Sequence, residues 1–151
     1  MQAATMAPSG GARISTTVPA FVDTNVAIYA LGQDGEKKAR AKQILDATPI
    51  ASSQVINEAI SVLMGKQRFA REEAYEVADA LMKLVAVAAV TANTVRDAMA
   101  IGLRYDLNHW DSLIVAAALA TGCDTLYSED MQNGQVFENR LTVKNPFDTP
   151  L

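Results

Sequence analysis

Five short apolar runs, separated by longer amphipathic stretches, organise the chain. The first, Val18-Pro19-Ala20-Phe21-Val22, contains no polar residue and suits a strand buried on both faces. It stops at Asp23. The sequence Asp23-Thr24-Asn25 has the chemistry that ends a strand and opens a helix, here a short one from Val26 to Leu31 closed by Gly32. Glu36 to Ala47 mixes Ala39, Ala41, Ile44 and Leu45 with Lys37, Lys38, Arg40 and Lys42, which predicts a second helix stopped by Thr48-Pro49. Ile50-Ala51 is a very short strand candidate. Ser52 or Ser53 then caps a helix to about Met64, with Gly65 just beyond. Arg71 to Leu84 reads as another helix, with Glu72 and Glu73 in its first turn and Lys83 in its last. Val85 to Val90 suits a strand by its β-branched content, and Thr91 to Thr94 offers caps for a helix to about Tyr105. Asn108 opens a helix from His109 to Thr121, ended by Gly122; Thr125–Ser128 and Leu141–Val143 are the last two strands. Strands separated by helices need right-handed crossovers. The pattern therefore predicts a three-layer α/β/α domain with a short, mostly parallel central sheet.

Composition narrows this picture. With 151 residues there is room for one substantial core, and 50% hydrophobic content is enough to build it. The expected division is a leader at residues 1–17, small, polar and aperiodic, followed by one domain at 18–151. The apolar run Leu113–Ala120 falls well short of the ~18 residues a membrane span needs, and the N-terminus lacks the basic start and apolar block of a secretory signal. One cysteine, Cys123, excludes an internal disulfide, and with a single histidine it excludes a zinc-finger ligand set. These features point to a cytoplasmic enzyme or binding domain. Thirteen basic against 17 acidic residues give a net charge of −4, which argues against broad electrostatic attraction to nucleic acid but leaves room for local or metal-bridged contact.

Four acidic residues occupy special places. Asp23 sits at the carboxyl end of a buried strand, where open α/β sheets place their ligand crevice, and equally reads as a helix cap. Glu58 falls at the edge of the apolar face formed by Val55, Ile56, Ala59, Ile60, Val62 and Leu63; taken alone it reads as a solvated carboxylate. Asp111 opens a helix whose Leu113–Ala120 segment has no polar residue, so that helix is covered on all faces and its first-turn carboxylate needs a partner or a cap from Asn108. Asp130, with Glu129 before it, follows the fourth strand; alone it is an ordinary acidic turn. Gathered at one sheet edge, the four would repel and raise one another's pKa. A hard divalent cation, Mg2+ or Mn2+, takes oxygen ligands and resolves that repulsion.

Phe21-Val22-Asp23-Thr24-Asn25, Ser53-x-x-x-x-Glu58, Trp110-Asp111-Ser112-Leu113-Ile114-Val115-Ala116-Ala117-Ala118 and Leu126-Tyr127-Ser128-Glu129-Asp130-Met131-Gln132-Asn133-Gly134 together resemble PIN-domain ribonucleases, and among them VapC-type toxins of toxin–antitoxin pairs. The closing Val143-x-Asn145-Pro146-Phe147 is similar to their C-terminal strand and exit. The resemblance spans about residues 18 to 147, with the motifs in family order. It implies a metal-dependent endoribonuclease, with metal ligands at Asp23, Glu58, Asp111 and Asp130 and supporting polar groups at Asn25 and Ser128. Glu129 is the alternative to Asp130. The resemblance also implies an RNA substrate, a homodimer and an antitoxin that covers the acidic site.

Other residues invite weighing. His109 suits a capping or surface role better than general base, because a metal ion that lowers the pKa of water leaves no need for one. Trp110 is expected in the core or in dimer packing rather than as a base-stacking platform, and Cys123 as a small buried apolar residue. Lys37, Lys38, Arg40 and Lys42, or Lys66, Arg68 and Arg71, can track phosphates or simply form solvated faces. A haloacid-dehalogenase-type phosphohydrolase needs a second Asp where Asn25 stands, and no glycine-rich phosphate loop follows a strand. The remaining rival is a non-catalytic PIN fold that binds RNA or protein without cutting it.

Overall fold

The computed structural model describes residues 18–32 and 35–148; the expected leader at 1–17 lies outside them. The elements run β1 (Phe21–Val22), α1 (Thr24–Tyr29), α2 (Gly35–Asp46), β2 (Ile50–Ser52), α3 (Ser53–Met64), α4 (Arg71–Leu84), β3 (Ala86–Ala88), α5 (Ala92–Tyr105), α6 (His109–Ala120), β4 (Thr125–Tyr127), β5 (Val136–Phe137) and β6 (Leu141–Lys144). They form a three-layer α/β/α domain around a sheet of order β3-β2-β1-β4-β6-β5. Every pairing is parallel except β5 with β6.

Local chemistry explains most boundaries. Ser52 caps α3 by accepting the Val55 N–H, and Thr91 caps α5 by accepting the Thr94 N–H. At the start of α4 the Glu73 carboxylate accepts the Ala70 N–H at 3.0 Å, so an alanine can stand at the cap position. The α5 helix stops at Asp106, which adopts a left-handed conformation at φ 53°. The first strand is shorter than its apolar run: Val18 is exposed, and Pro19 has no N–H to give a ladder.

The core joins Phe21, Val22, Leu126, Leu141 and Val143 of the sheet to Val26, Val55, Leu81 and Val115 of the helices. Residues 112–118 of α6 are buried on all sides, as an unbroken apolar run demands; Leu119 is half-buried and Ala120 is exposed. Cys123 is buried. Among the described residues, no helix is long and apolar enough to cross a membrane.

Sheet order locates the crevice. From β1 the chain winds outward through β2 to β3, then returns to β4 on the other flank of β1 and continues to β6. Strand order therefore reverses between β1 and β4. In doubly wound sheets ligands bind outside the carboxyl ends of the strands at such a switch point. Asp23 follows β1 there, and Ser128, Glu129 and Asp130 follow β4.

Candidate active site

Asp23 is the centre of the switch point. It caps α1, where its Oδ1 accepts the Thr24 N–H at 2.7 Å. Its Oδ2 accepts the Ser128 hydroxyl at 2.8 Å, and its own N–H donates to the Tyr127 carbonyl at 3.0 Å. Only 7% of the residue is exposed. Burial pushes its carboxyl from an ordinary 3.8 up to about 6; the Ser128 and Thr24 hydrogen bonds oppose the rise, and the carboxylates of Asp111 and Asp130 add to it. The cap of α1 and the buried carboxyl at the switch point are thus the same side chain.

The other carboxylates arrive from different elements, each with a polar partner. The Asn25 side-chain amide, on α1, donates to Asp130 Oδ2 at 2.6 Å. Thr24 Oγ1 donates to Glu58 Oε1 at 3.0 Å, which ties the middle of α3 to the start of α1. Asn108 accepts the Asp111 N–H at 2.9 Å and donates through Nδ2 to Asp111 Oδ2 at 2.8 Å, so α6 is capped while its carboxylate is held. Ser128 is fully buried, and its Oγ also accepts the Met131 N–H at 3.3 Å, closing the turn that carries Asp130.

Asp111 and Asp130 lie close enough to Asp23 to act on its charge, whereas Glu58 reaches the group through Thr24. Thr24 and Asn108 therefore matter to the site as holders of carboxylates. Their signal in the sequence was only that of helix starts.

The oxygen-only donor set suits a hard divalent ion. Among the described residues no ion pair links a cation to Asp23, Glu58, Asp111 or Asp130. Nor do any three acidic, histidine or cysteine side chains among them stand close enough, as they are, to enclose a metal ion. Mg2+ commonly completes its shell with water, so carboxylates that do not enclose it on their own are compatible with its chemistry.

Several neighbouring expectations change. Glu129 turns away from the four: it takes hydrogen bonds from Tyr29 Oη at 2.7 Å and Lys37 Nζ at 2.8 Å. Lys37, weighed as a phosphate contact or a solvated face, is paired with a carboxylate. Trp110 is 63% exposed, so it is not a core residue; its ring stands edge-on to the exposed His109, 5.6 Å between centroids. A cavity of about 520 Å3 opens at the opposite, amino ends of β1 and β4, lined by Pro19, Pro49 and Asp124 among others, and holds none of the four carboxylates.

Comparison with known proteins follows the same lines. Residues 20–134 match the PIN domain sequence profile. No curated protein sequence matches the chain. Among solved structures, a sarcin–ricin-loop-cleaving VapC toxin from Mycobacterium tuberculosis superposes with a TM-score of 0.60 at 22% identity, covering 74% of this chain and 89% of that one. A toxin–antitoxin complex from Klebsiella pneumoniae gives 0.62 at 22% identity, covering 86% and 99%. DNA-bound VapBC from Salmonella typhimurium gives 0.65 at 14% identity, covering 86% and 99%. At these identities the structural likeness is one of fold.

Proposed function

From the premise that the chain belongs to the PIN domain family, we propose that it is a metal-dependent endoribonuclease and the toxin of a type II toxin–antitoxin pair. One observation carries the reading. A buried carboxylate at the switch point, Asp23, feels two further carboxylates from separate elements, and among the described residues no ion pair offsets them. That arrangement costs stability unless a cation joins it.

In this reading Asp23, Glu58, Asp111 and Asp130 would be the donor set for Mg2+ or Mn2+, directly or through water in its shell, while Asn25 and Ser128 would support them. Such an ion, when bound, supplies a lowered water pKa and a counter-charge for the phosphodiester oxygens. The chain's own part is orientation. Ser128 and the Thr24 N–H fix both oxygens of Asp23, Asn25 aims Asp130, Asn108 aims Asp111, and Thr24 restrains Glu58. His109 has no assigned step.

The solved relatives include toxins determined with their antitoxins, which supports a cognate antitoxin as partner. The same reading assigns a homodimer in the cytoplasm. Val95, Met99 and Leu103, four residues apart along α5, present an exposed apolar stripe that such a dimer can use.

The deciding experiment incubates a mixed RNA pool with Mg2+, Mn2+ or chelator, with Asp111→Asn run in parallel. Metal-dependent cleavage that disappears in the variant is expected. Cleavage that survives in Asp111→Asn would remove Asp111 from the site. Divalent binding by an intact fold without any cleavage would favour the non-catalytic binding module.

A further inference from the structure

Glu129 and Asp130 are adjacent carboxylates after β4, yet they are held by different parts of the molecule. Asp130 points to Asn25 at the start of α1. Glu129 is clasped on both oxygens: Tyr29 Oη donates to Oε1 at 2.7 Å, and Lys37 Nζ donates to Oε2 at 2.8 Å. Lys37 also donates to Tyr29 Oη at 3.2 Å and lies 4.6 Å from the Tyr29 ring centroid and 5.3 Å from that of Phe147. Tyr29 and Phe147 meet edge-to-face at 4.8 Å. One carboxylate thus joins the end of α1, the start of α2, the β4 exit and the segment after β6.

We propose that Lys37 and Tyr29 are positioning residues for Asp130, acting through Glu129. Between buried Ser128 and buried Met131 the chain has two residues whose side chains leave in different directions. Fixing Glu129 on the α2 side leaves Asp130 on the α1 side, opposite Asn25. The clasp also neutralises a carboxylate that would otherwise stand one residue from the acidic group, where it would repel Asp130 or compete with it for a cation. The contacts stand by themselves; only their value for metal binding rests on the proposed nuclease reading.

The test uses the full chain and reads the Asn25 side-chain amide pair by 1H–15N correlation, together with Mn2+ affinity. Lys37→Met should move the Asn25 amide signals and weaken Mn2+ binding by about tenfold, the size of outer-partner effects at metal sites. Tyr29→Phe, which keeps the ring packing, should move them less, and Lys37→Arg should restore both. Thermal stability should change little, since a partly exposed ion pair contributes little to it. Asn25 signals unmoved in Lys37→Met overturn the positioning role. Moved signals with unchanged Mn2+ affinity overturn its service to the metal site. Moved signals in a protein that binds no Mn2+ uphold the positioning and count against the nuclease reading instead.

Discussion

At the scale of single residues, Asp23 concentrates the conflict between folding and chemistry. Its pKa is raised in the folded chain to about 6, so the folded state holds the proton more tightly than the unfolded state. The stability linked to that proton is fully present below the unfolded pKa near 4, and it is lost as pH rises through about 6. A shift of this size corresponds to at most about 3 kcal/mol. Asp23→Asn removes the buried charge while its amide oxygen can still accept the Thr24 N–H. Without metal, the variant should therefore be more stable than the parent by about 1–2 kcal/mol at pH 7.5 and close to it at pH 4. Urea unfolding of both proteins at the two pH values checks this; a variant less stable at pH 7.5 would mean that the Ser128 bond outweighs the desolvation. Legibility at this scale was mixed. Asp23 and Asp111 could be read as part of helix caps or as site carboxylates; Asp23 is the N-cap of α1, Asp111 is the residue whose N–H the Asn108 cap of α6 receives, and both carboxylates border the acidic group. The resemblance put Asp130 ahead of Glu129, but the contacts that hold Glu129 apart come from Tyr29 and Lys37, about a hundred positions away, and leave no local signal.

At the scale of elements, the long helices were legible because caps and breakers flank them: Arg71–Leu84 and the Asn108-capped start of α6 stand where their sequence signals place them. The β5 strand was not. It is two residues long and reaches β6 through Glu138 and Asn139, both at positive φ, and glutamate is not a residue that announces such a turn. Distant partners enforce it. Arg104 pairs with the Glu138 carboxylate at 2.6 Å, and Tyr105 Oη accepts the Glu138 N–H at 2.9 Å. A local conformation fixed by α5 leaves no local pattern. The contact of α5 with α6 gives a sharper test. A Cβ on Gly102 would stand 3.0 Å from Ser112 Oγ and 3.3 Å from the Leu107 carbonyl. Ser112 cannot yield easily, being fully buried and donating to the Asn108 carbonyl at 2.7 Å. Gly102→Ala gains about 1 kcal/mol of helix propensity, yet it should be net destabilising by about 1–2 kcal/mol through overpacking. In a double-mutant cycle with Ser112→Ala the two losses should be less than additive. Additivity, or a stabilised Gly102→Ala, would show that the helices can part without cost.

At the scale of the whole molecule, alternating strands and helices announced the layers and the parallel sheet, but not the strand order. Only the order β3-β2-β1-β4-β6-β5 shows that Asp23 and Asp130 share a switch point, because β1 and β4 are separated by most of the chain. The fold therefore gathers negative charge at one edge of a molecule that already carries a net charge of −4. Such a molecule should be stabilised by an ion that binds the folded state alone. At a concentration one hundred times its dissociation constant, the gain is about 2.7 kcal/mol, or roughly 5–10 °C in melting temperature for a domain of this size. The gain should also depend on pH. At pH 5 the Asp23 carboxyl, with its pKa near 6, is mostly protonated, and the ion must displace that proton. Thermal melts with Mg2+ or Mn2+ at pH 5 and pH 7.5, against NaCl at equal ionic strength, should show the larger shift at pH 7.5 and almost none with Na+. An equal shift with Na+ would reduce the effect to general screening of a negative molecule. A divalent shift independent of pH would place the bound ion away from Asp23.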